Sequence, residues 1–141
     1  MRLGQIRLSH QIVAAVFEGD LVRPVPNYTM LELIRKAEKE QTPLRELAQE
    51  LASRHAEPGK PLIPINPPEV WACGCTYEPS ASFRDSQHGE QEGIYAYVLR
   101  QPRPEIFFKG TARVCVGPDQ PIGLRADSRF TAPEPELALV L

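Results

Sequence analysis

Alternating apolar and polar residues open the chain and predict two short strands. The stretches RLGQIRL (residues 2–8) and QIVAAVFEG (residues 11–19) have the spacing of half-buried strands. The polar pair Ser9-His10 joins them, and the turn pair Gly19-Asp20 ends the second stretch. We therefore expect a pair of strands at the start of the chain.

The hydrophobic spacing then changes to that of helices. In the first predicted helix, Thr29 is followed three residues later by Glu32, which is the pattern of a capping box. In the second helix, Thr42 is the expected N-cap and Pro43 the expected first helical position. The pair Pro58-Gly59 should end this second helix, because proline cannot continue the helical hydrogen bonding.

The chain divides into three parts along its length, and its fold class is predicted to be α+β. Residues 1–58 form a small N-terminal α+β domain in which two strands pack on two helices. Residues 59–68 are rich in proline and form an extended connector. Residues 69–141 hold short strands separated by glycine and proline turns, and a polar segment (residues 76–93) with a short helix. The predicted strands of this last part are EVWACGC, which we expect to be buried, EIFFKG, ARVCVG, QPIGL and ELALVL.

Composition narrows the choice of partners and compartment. The chain has 141 residues and a formal net charge of -2, which argues against a nucleic-acid or polybasic membrane partner. Its N-terminus has no apolar core of signal-peptide length. The odd number of cysteines, three, is typical of a reducing compartment, so we expect a cytoplasmic location.

The cysteines do not have the spacing of a metal site. Cys73 and Cys75 are separated by one residue, whereas zinc sites use two to four residues between thiols and a second ligand pair. His55 and His88 lie in unrelated parts of the sequence. Buried, unreactive thiols are the more economical interpretation.

Two glutamates near the end of the chain are candidate metal ligands. Glu134 and Glu136 would point to the same face of a strand, where two carboxylates repel each other unless a cation lies between them. A hard divalent ion such as Mg²⁺ answers this need. The alternative is a pair of solvated side chains on an edge strand. The apolar strand that follows needs partners on both sides, so we expect the 141 residues to be the first part of a longer chain.

A lysine and a polar segment could complete a site. Lys109 ends the predicted strand EIFFKG and could point into a pocket to hold a carboxylate, or could be a solvated residue at a strand end. The polar segment could cover a site as a lid, or could be an ordinary solvated loop. Its ionisable residues are Arg84, Asp85, His88, Glu90 and Glu92.

Three blocks of the sequence resemble the fumarylacetoacetate hydrolase superfamily, in particular its branch of 2-keto-3-deoxy-sugar-acid dehydratases. These blocks are PPEVWACGCTYEPSASFRD, RPEIFFKGTARVCVGP and IGLRADSRFTAPEPELALVL, and their order and spacing both match. The resemblance implies a mixed β-roll, of which residues 69–141 would be the first part. It implies Mg²⁺, or Mn²⁺ or Ca²⁺ in its place, bound by three carboxylates. Glu134 and Glu136 match two of them, and the third would be an aspartate beyond residue 141.

The sequence departs from the hydrolases of that superfamily. Their water-activating His–Glu dyad falls on Ser80 and Phe83, which cannot take a proton at neutral pH. In the dehydratase branch, the lid carries an arginine that Arg84 matches, followed by glutamates. Ser86 and Gln87 stand at those glutamate positions, so the resemblance leaves Asp85, Glu90 and Glu92 as substitutes. The candidate catalytic residues are therefore Lys109, Arg84 and Asp85.

The implied activity is Mg²⁺-dependent elimination of water from a 2-keto-3-deoxy sugar acid. The expected partner is a small-molecule 2-keto acid, and we expect a homo-oligomer in the full-length form. We expect the 141-residue chain alone to show little activity. The alternatives are a hydrolase or decarboxylase of the same fold, or a truncated product without catalytic function.

Overall fold

The computed structural model confirms an α+β fold and contains two compact units. The first comprises Met1–Pro68 and Ala112–Ile122, and the second comprises Glu69–Thr111 and Gly123–Leu141. The prediction that residues 1–58 form a domain of their own stays a prediction. The residues that the structure describes are 1–89, 93–129, 131, 133 and 135–141.

A four-stranded antiparallel sheet forms the centre of the first unit. Its strands are β1 (Arg2–Leu8), β2 (Gln11–Glu18), β3 (Leu21–Val25) and β4 (Glu57–Pro58), in the order β1-β2-β3-β4. The two predicted strands are confirmed, but β3 and β4 were not predicted. The strand β3 was not predicted because it contains Pro24, and a proline within a run of residues argues against a strand. The structure tolerates this proline because β4 pairs only with the first two residues of β3, so Pro24 has a strand neighbour on one side only.

Helix α1 (Met30–Glu40) begins with the predicted capping box. The backbone N–H of Thr29 donates to Glu32 Oε2 at 2.7 Å, and the backbone N–H of Glu32 donates to Thr29 Oγ1 at 3.3 Å. The hydrogen bonds from the backbone and then the side chain of Thr29 lower the pKa of the Glu32 carboxyl. The helix ends at Gln41, which adopts a left-handed conformation with φ of 50°.

Helix α2 (Leu44–Leu51) is shorter than predicted at both ends. Pro43, not Thr42, occupies the N-cap, and it offers no side-chain acceptor to the first turn. At the other end the chain leaves the helix at Ala52, well before Pro58-Gly59. The N–H of Ser53 donates instead to the carbonyl of Pro24 at 2.7 Å, which directs the chain back along β3. A tertiary contact therefore ends this helix before its proline can.

Both faces of the sheet in the first unit are covered. The helix-facing side and the opposite side of β2 are both fully buried, so this strand lies at the centre of the core. On the helix side, the buried cluster comprises Ala14, Val16, Val25, Met30, Leu33, Ala37, Leu47 and Ala48. On the other side it comprises Ile6, Val13, Ala15 and Val22, with Leu8 and Phe17 packed against them.

A buried glutamine connects three parts of the first unit. Gln5 is 1% exposed, and both polar atoms of its side-chain amide are hydrogen-bonded. Its Oε1 accepts the backbone N–H of Met30 at 3.0 Å, and its Nε2 donates to the carbonyl of Ile63 at 3.0 Å. Its own carbonyl accepts the N–H of Leu62 at 2.8 Å. Gln5 thus holds the start of α1 and the proline-rich connector against β1.

We expect Gln5→Leu to destabilise the protein by about 2–4 kcal/mol, because the N–H of Met30 and the carbonyl of Ile63 would lose buried partners. Chemical denaturation measures this change. The control is Gln49→Leu on the exposed face of α2, which should change the free energy of unfolding by less than about 0.5 kcal/mol. Equal effects of the two substitutions would contradict the role assigned to Gln5.

The second unit contains a two-stranded antiparallel sheet. Strand β5 (Val70–Gly74) pairs with β6 (Glu105–Gly110), and the rings of Trp71 and Phe108 meet edge to face at 5.7 Å. The prediction of a buried strand is wrong for β5, since Trp71 is 57% exposed and Phe108 is 53% exposed. A two-stranded sheet has no third strand to cover its apolar side chains.

Three further expectations of strands, for ARVCVG, QPIGL and ELALVL, are not met. The stretch ARVCVG holds a 3-10 turn (Ala112–Val114) in which the N–H of Cys115 donates to the carbonyl of Ala112. The described residues of QPIGL and ELALVL adopt neither helix nor strand, and Leu137 is 80% exposed. Apolar alternation makes a strand only where another strand pairs with it, and the described residues provide no such partner here.

A helical hairpin follows β5 and is held by a buried carboxylate. Helix α3 (Glu78–Gln87) is the short helix predicted for the polar segment, whereas α4 (Ile94–Leu99) was not predicted. Asp85 on α3 is 1% exposed. Its Oδ1 accepts the N–H of Tyr95 at 3.1 Å, and its Oδ2 accepts the N–H of Ala96 at 2.9 Å. Asp85 therefore satisfies the first-turn donors of a helix that has no side-chain cap of its own.

Asp85 should make this hairpin sensitive to acid. Burial alone would raise the pKa of its carboxyl, but the N–H groups of Ala96, Tyr95 and Gly93 outweigh burial and lower the pKa below the ordinary value of 3.8. The stabilisation is then fully present above pH 3.8 and is lost as the pH falls through the lower pKa of the folded state. We expect the exchange protection factors of the Tyr95 and Ala96 amides to fall in that window.

The matched variants for this experiment are Asp85→Asn and Asp127→Asn. The asparagine amide has one acceptor oxygen in place of two, so Asp85→Asn should show reduced protection at Tyr95 and Ala96 even at about pH 6. The pKa of Asp127 is also lowered, by its hydrogen bond from Arg125, so this carboxylate is paired with a side chain and not with the amides of Tyr95 and Ala96. Asp127→Asn should therefore behave as the parent chain. Equal protection of the Tyr95 and Ala96 amides in Asp85→Asn and in the parent chain would contradict the role of Asp85 as the cap of α4.

Candidate functional site

The second unit holds every predicted site residue that the structure describes. Arg84 and Asp85 lie on α3, Lys109 lies on β6, and Glu136 belongs to the segment 135–141. Glu134 lies outside the described residues, as do Glu90 and Glu92. The roles assigned to these residues stay predictions.

Lys109 occupies a β-bulge. In the register of the two strands, Val70 pairs with Gly110 and Trp71 pairs with Phe108, so Lys109 is the extra residue of β6. A bulge bends its strand and redirects a side chain, and such irregularities are frequent beside active sites. The Lys109 Nζ lies 5.5 Å from the centroid of the Phe107 ring, within the range of a cation–π contact. The ammonium is exposed and can meet an anion.

The two faces of the β5–β6 sheet differ in chemistry. One face carries the paired rings of Trp71 and Phe108 and continues with the pair Cys73 and Ile106. Phe107 and Lys109 belong to the other face of this sheet. The bulge thus places the strand's one cation beside an aromatic ring and away from the Trp71–Phe108 pair.

The structure gives Asp85 a role that needs no catalysis. Both of its carboxylate oxygens accept backbone N–H groups of α4, and those donors hold it as an anion. A general acid needs a proton near neutral pH, so Asp85 in this conformation cannot supply one. The neighbouring Arg84 is half-buried on the same helix and also has interaction partners. The Asp85 contact therefore fixes the helix on which Arg84 lies.

Glu136 is exposed, and the peptide that follows it is anchored. The N–H of Leu137 donates to the hydroxyl of Tyr77 at 3.0 Å, a contact between residues 60 positions apart. Tyr77 is the N-cap residue of α3, and sequence reasoning did not select it. Its only signal in the sequence is its position directly before the helix that carries the polar residues.

Of the two predicted metal ligands, Glu136 lies within the described residues and Glu134 does not. Within the described ranges, no group of three His, Cys, Asp or Glu residues is placed to share a metal ion. The exposed carboxylate of Glu136 is the kind of ligand that Mg²⁺ prefers. Cys73, Cys75 and Cys115 are half-buried. Among the described residues, no helix is long and apolar enough to cross a membrane.

Comparison with curated proteins finds two dehydratases. The chain is 46% identical over 81 residues to 2-dehydro-3-deoxy-D-arabinonate dehydratase of Saccharolobus solfataricus, which covers 55% of this chain and 27% of that protein. It is 36% identical over 124 residues to a probable 2-keto-3-deoxyxylonate dehydratase of Haloferax volcanii, covering 80% of this chain and 41% of that protein. No family model matches the chain.

Comparison with solved structures gives the same relationship. A hexagonal crystal form of 2-keto-3-deoxyarabinonate dehydratase matches 96% of this chain with a TM-score of 0.60 and 29% identity. A structure of 2-keto-3-deoxy-D-arabinonate dehydratase complexed with magnesium and 2,5-dioxopentanoate matches 96% of this chain with a TM-score of 0.58 and 26% identity. The chain spans 48% of the length of each of these structures.

Sequence and structure therefore agree on the relationship that the motifs predicted. A dehydratase of 2-keto-3-deoxyarabinonate is found both by sequence identity and by backbone similarity, and the fold class is the one expected. The chain is similar to the 2-keto-3-deoxy-sugar-acid dehydratases, the branch of the fumarylacetoacetate hydrolase superfamily that its motifs resemble, and it spans less than half the length of each of these relatives.

Proposed function

We propose that this protein takes part in the Mg²⁺-dependent dehydration of a 2-keto-3-deoxy sugar acid. The observation that carries the proposal is the match of nearly the whole chain to a dehydratase structure complexed with magnesium and 2,5-dioxopentanoate. The matched sequence contains carboxylates that could bind a cation and a lysine that could bind an anionic substrate.

The Glu134–Glu136 pair is the proposed metal-binding element of this chain. Carboxylate oxygens suit Mg²⁺, and Mn²⁺ or Ca²⁺ could use the same ligands. When bound, the ion would polarise the keto group of the substrate. The support for this assignment is the E-P-E pattern, the exposure of Glu136 and the magnesium in the related structure.

Lys109 and Arg84 are the proposed substrate-binding cations. The bulge in β6 holds the Lys109 ammonium beside Phe107 and exposes it, so it can pair with the substrate carboxylate. Arg84 would lie on the lid side of the site, on the helix that Asp85 fixes to α4. Asp85 enters the proposal through this positioning and not as the proton donor for the leaving hydroxyl, because the amides of α4 hold it as an anion.

The proposal extends to compartment and assembly. The odd number of cysteines, three, fits a reducing, cytoplasmic environment. The exposed apolar residues of the second unit, such as Trp71, Ile106 and Phe108, fit a homo-oligomer of the full-length form. The small-molecule partner is a 2-keto acid, and we propose no nucleic-acid or membrane partner.

The test of the proposed function is turnover of 2-keto-3-deoxy-D-arabinonate at millimolar Mg²⁺, with Mg²⁺ binding followed in parallel by NMR. Since the described residues present no three-ligand group, we expect turnover at least about 10- to 100-fold below that of the Saccharolobus enzyme. Glu136→Gln should abolish both turnover and the Mg²⁺-dependent shift of the Glu136 amide. The control Glu105→Gln, an exposed glutamate of β6, should change neither.

Two outcomes would contradict the proposal. One is turnover that persists unchanged in Glu136→Gln or after removal of Mg²⁺ by a chelator. The other is a parent chain that folds but shows neither turnover nor any Mg²⁺-dependent shift at Glu136.

Replacing Lys109 should weaken binding of the 2-keto acid. Lys109→Met keeps the length and apolar stem of the side chain but removes the charge, so the dissociation constant for 2,5-dioxopentanoate should rise about tenfold. Isothermal titration calorimetry in the presence of Mg²⁺ measures this constant. The exposed Lys60 provides the control, Lys60→Met, which should leave binding unchanged. If the two variants bound 2,5-dioxopentanoate with equal affinity, Lys109 would not be a substrate-binding residue.

A further inference from the structure

A single hydroxyl links the segment that carries Glu136 to the start of α3. Tyr77 Oη lies 3.0 Å from the backbone nitrogen of Leu137 and accepts its N–H. That nitrogen is bonded to the carbonyl carbon of Glu136. A partner that fixes the nitrogen therefore fixes the backbone from which the Glu136 side chain extends.

Tyr77 is well placed to align the other site elements. It follows β5 after a short connection in which Cys75 adopts a left-handed conformation with φ of 54°. It then serves as the N-cap residue of α3. Its backbone is thus tied on one side to the β5–β6 sheet that bears Lys109, and on the other to the helix that bears Arg84.

The hydroxyl, rather than the ring, accounts for the contact. Tyr77 is 40% exposed, so its ring contributes little to a core. The residues that follow Leu137 are strongly exposed, with Leu139 77% exposed and Val140 57% exposed. Apolar packing therefore does not hold this segment in place, and a directional polar contact has a correspondingly larger effect on where Glu136 lies.

We propose that Tyr77 is a positioning residue for the metal-binding carboxylate of Glu136. Its hydroxyl holds the peptide after Glu136 at the N-terminal end of α3, so that Glu136, Lys109 and Arg84 are set on elements that meet at one residue. This inference rests on the proposed function, because it assigns Glu136 to a metal.

The experiment compares the ¹⁵N-labelled parent chain with Tyr77→Phe by NMR. Phenylalanine keeps the ring and removes the acceptor, so exchange protection at the Leu137 amide should be lost. The dissociation constant for Mg²⁺, measured from the shift of the Glu136 amide, should rise about tenfold, the lower end of the effect of losing an outer partner of a metal ligand. The midpoint of thermal unfolding should not change, which separates positioning from a general loss of stability.

Two further variants sharpen the result. Leu137→Pro removes the donor from the other side of the same hydrogen bond and also restricts the backbone of Glu136, so it should weaken Mg²⁺ binding at least as much. Adding Tyr77→Phe to Leu137→Pro should cause no further loss, since the hydrogen bond is already broken. Tyr97→Phe, an exposed tyrosine of α4, is the matched control and should leave the dissociation constant unchanged.

The outcomes separate this inference from the proposed function. A Mg²⁺-dependent shift at Glu136 that Glu136→Gln abolishes but Tyr77→Phe leaves unchanged would overturn the positioning role alone. No Mg²⁺-dependent shift in the parent chain would overturn the metal assignment and the positioning role together. A weaker affinity for Mg²⁺ in both Tyr77→Phe and Tyr97→Phe would also overturn the positioning role, because the effect would then not depend on the Tyr77 hydroxyl.

Discussion

The buried amide of Gln5 is the constraint on which the first unit depends. The helices cover one face of its sheet, and the proline-rich connector runs beside β1, where its backbone groups must also find partners. Gln5 meets this need from within β1, because one end of its amide accepts and the other donates. A carboxylate could not donate to Ile63, and an apolar side chain could serve neither partner. The amide therefore fixes α1 and the connector at once.

The second unit is held together by a different balance of forces. Its strands expose their aromatic rings, and much of its described order comes from individual polar contacts. The carboxylate of Asp85 joins α3 to α4, and the hydroxyl of Tyr77 joins α3 to the segment 135–141. Such contacts are directional but individually modest, so they can align side chains without making the unit rigid. The candidate site residues lie on elements of this kind.

Local signals were predictable from the sequence, whereas tertiary ones were not. The capping box of Thr29 and Glu32 and the turn at Gly19 depend on residues close to each other in the chain, and the structure contains both. Helix α4 instead depends on an acceptor ten residues away, Asp85. In the candidate site, the motifs selected Lys109 by residue type. Its place in a β-bulge follows from strand register, which the sequence of one strand does not determine.

The two described carboxylates of the candidate site illustrate why residue type alone does not assign a role. Asp85 and Glu136 carry the same chemical group. The oxygens of Asp85 already accept two backbone N–H groups in a buried setting, which keeps it charged and leaves it little capacity for a metal or a proton. Glu136 is exposed, so its oxygens can exchange water for a cation at small cost. Burial and prior hydrogen bonding therefore distinguish the two carboxylates: Asp85 orders the helical hairpin, whereas the oxygens of Glu136 are accessible to a cation.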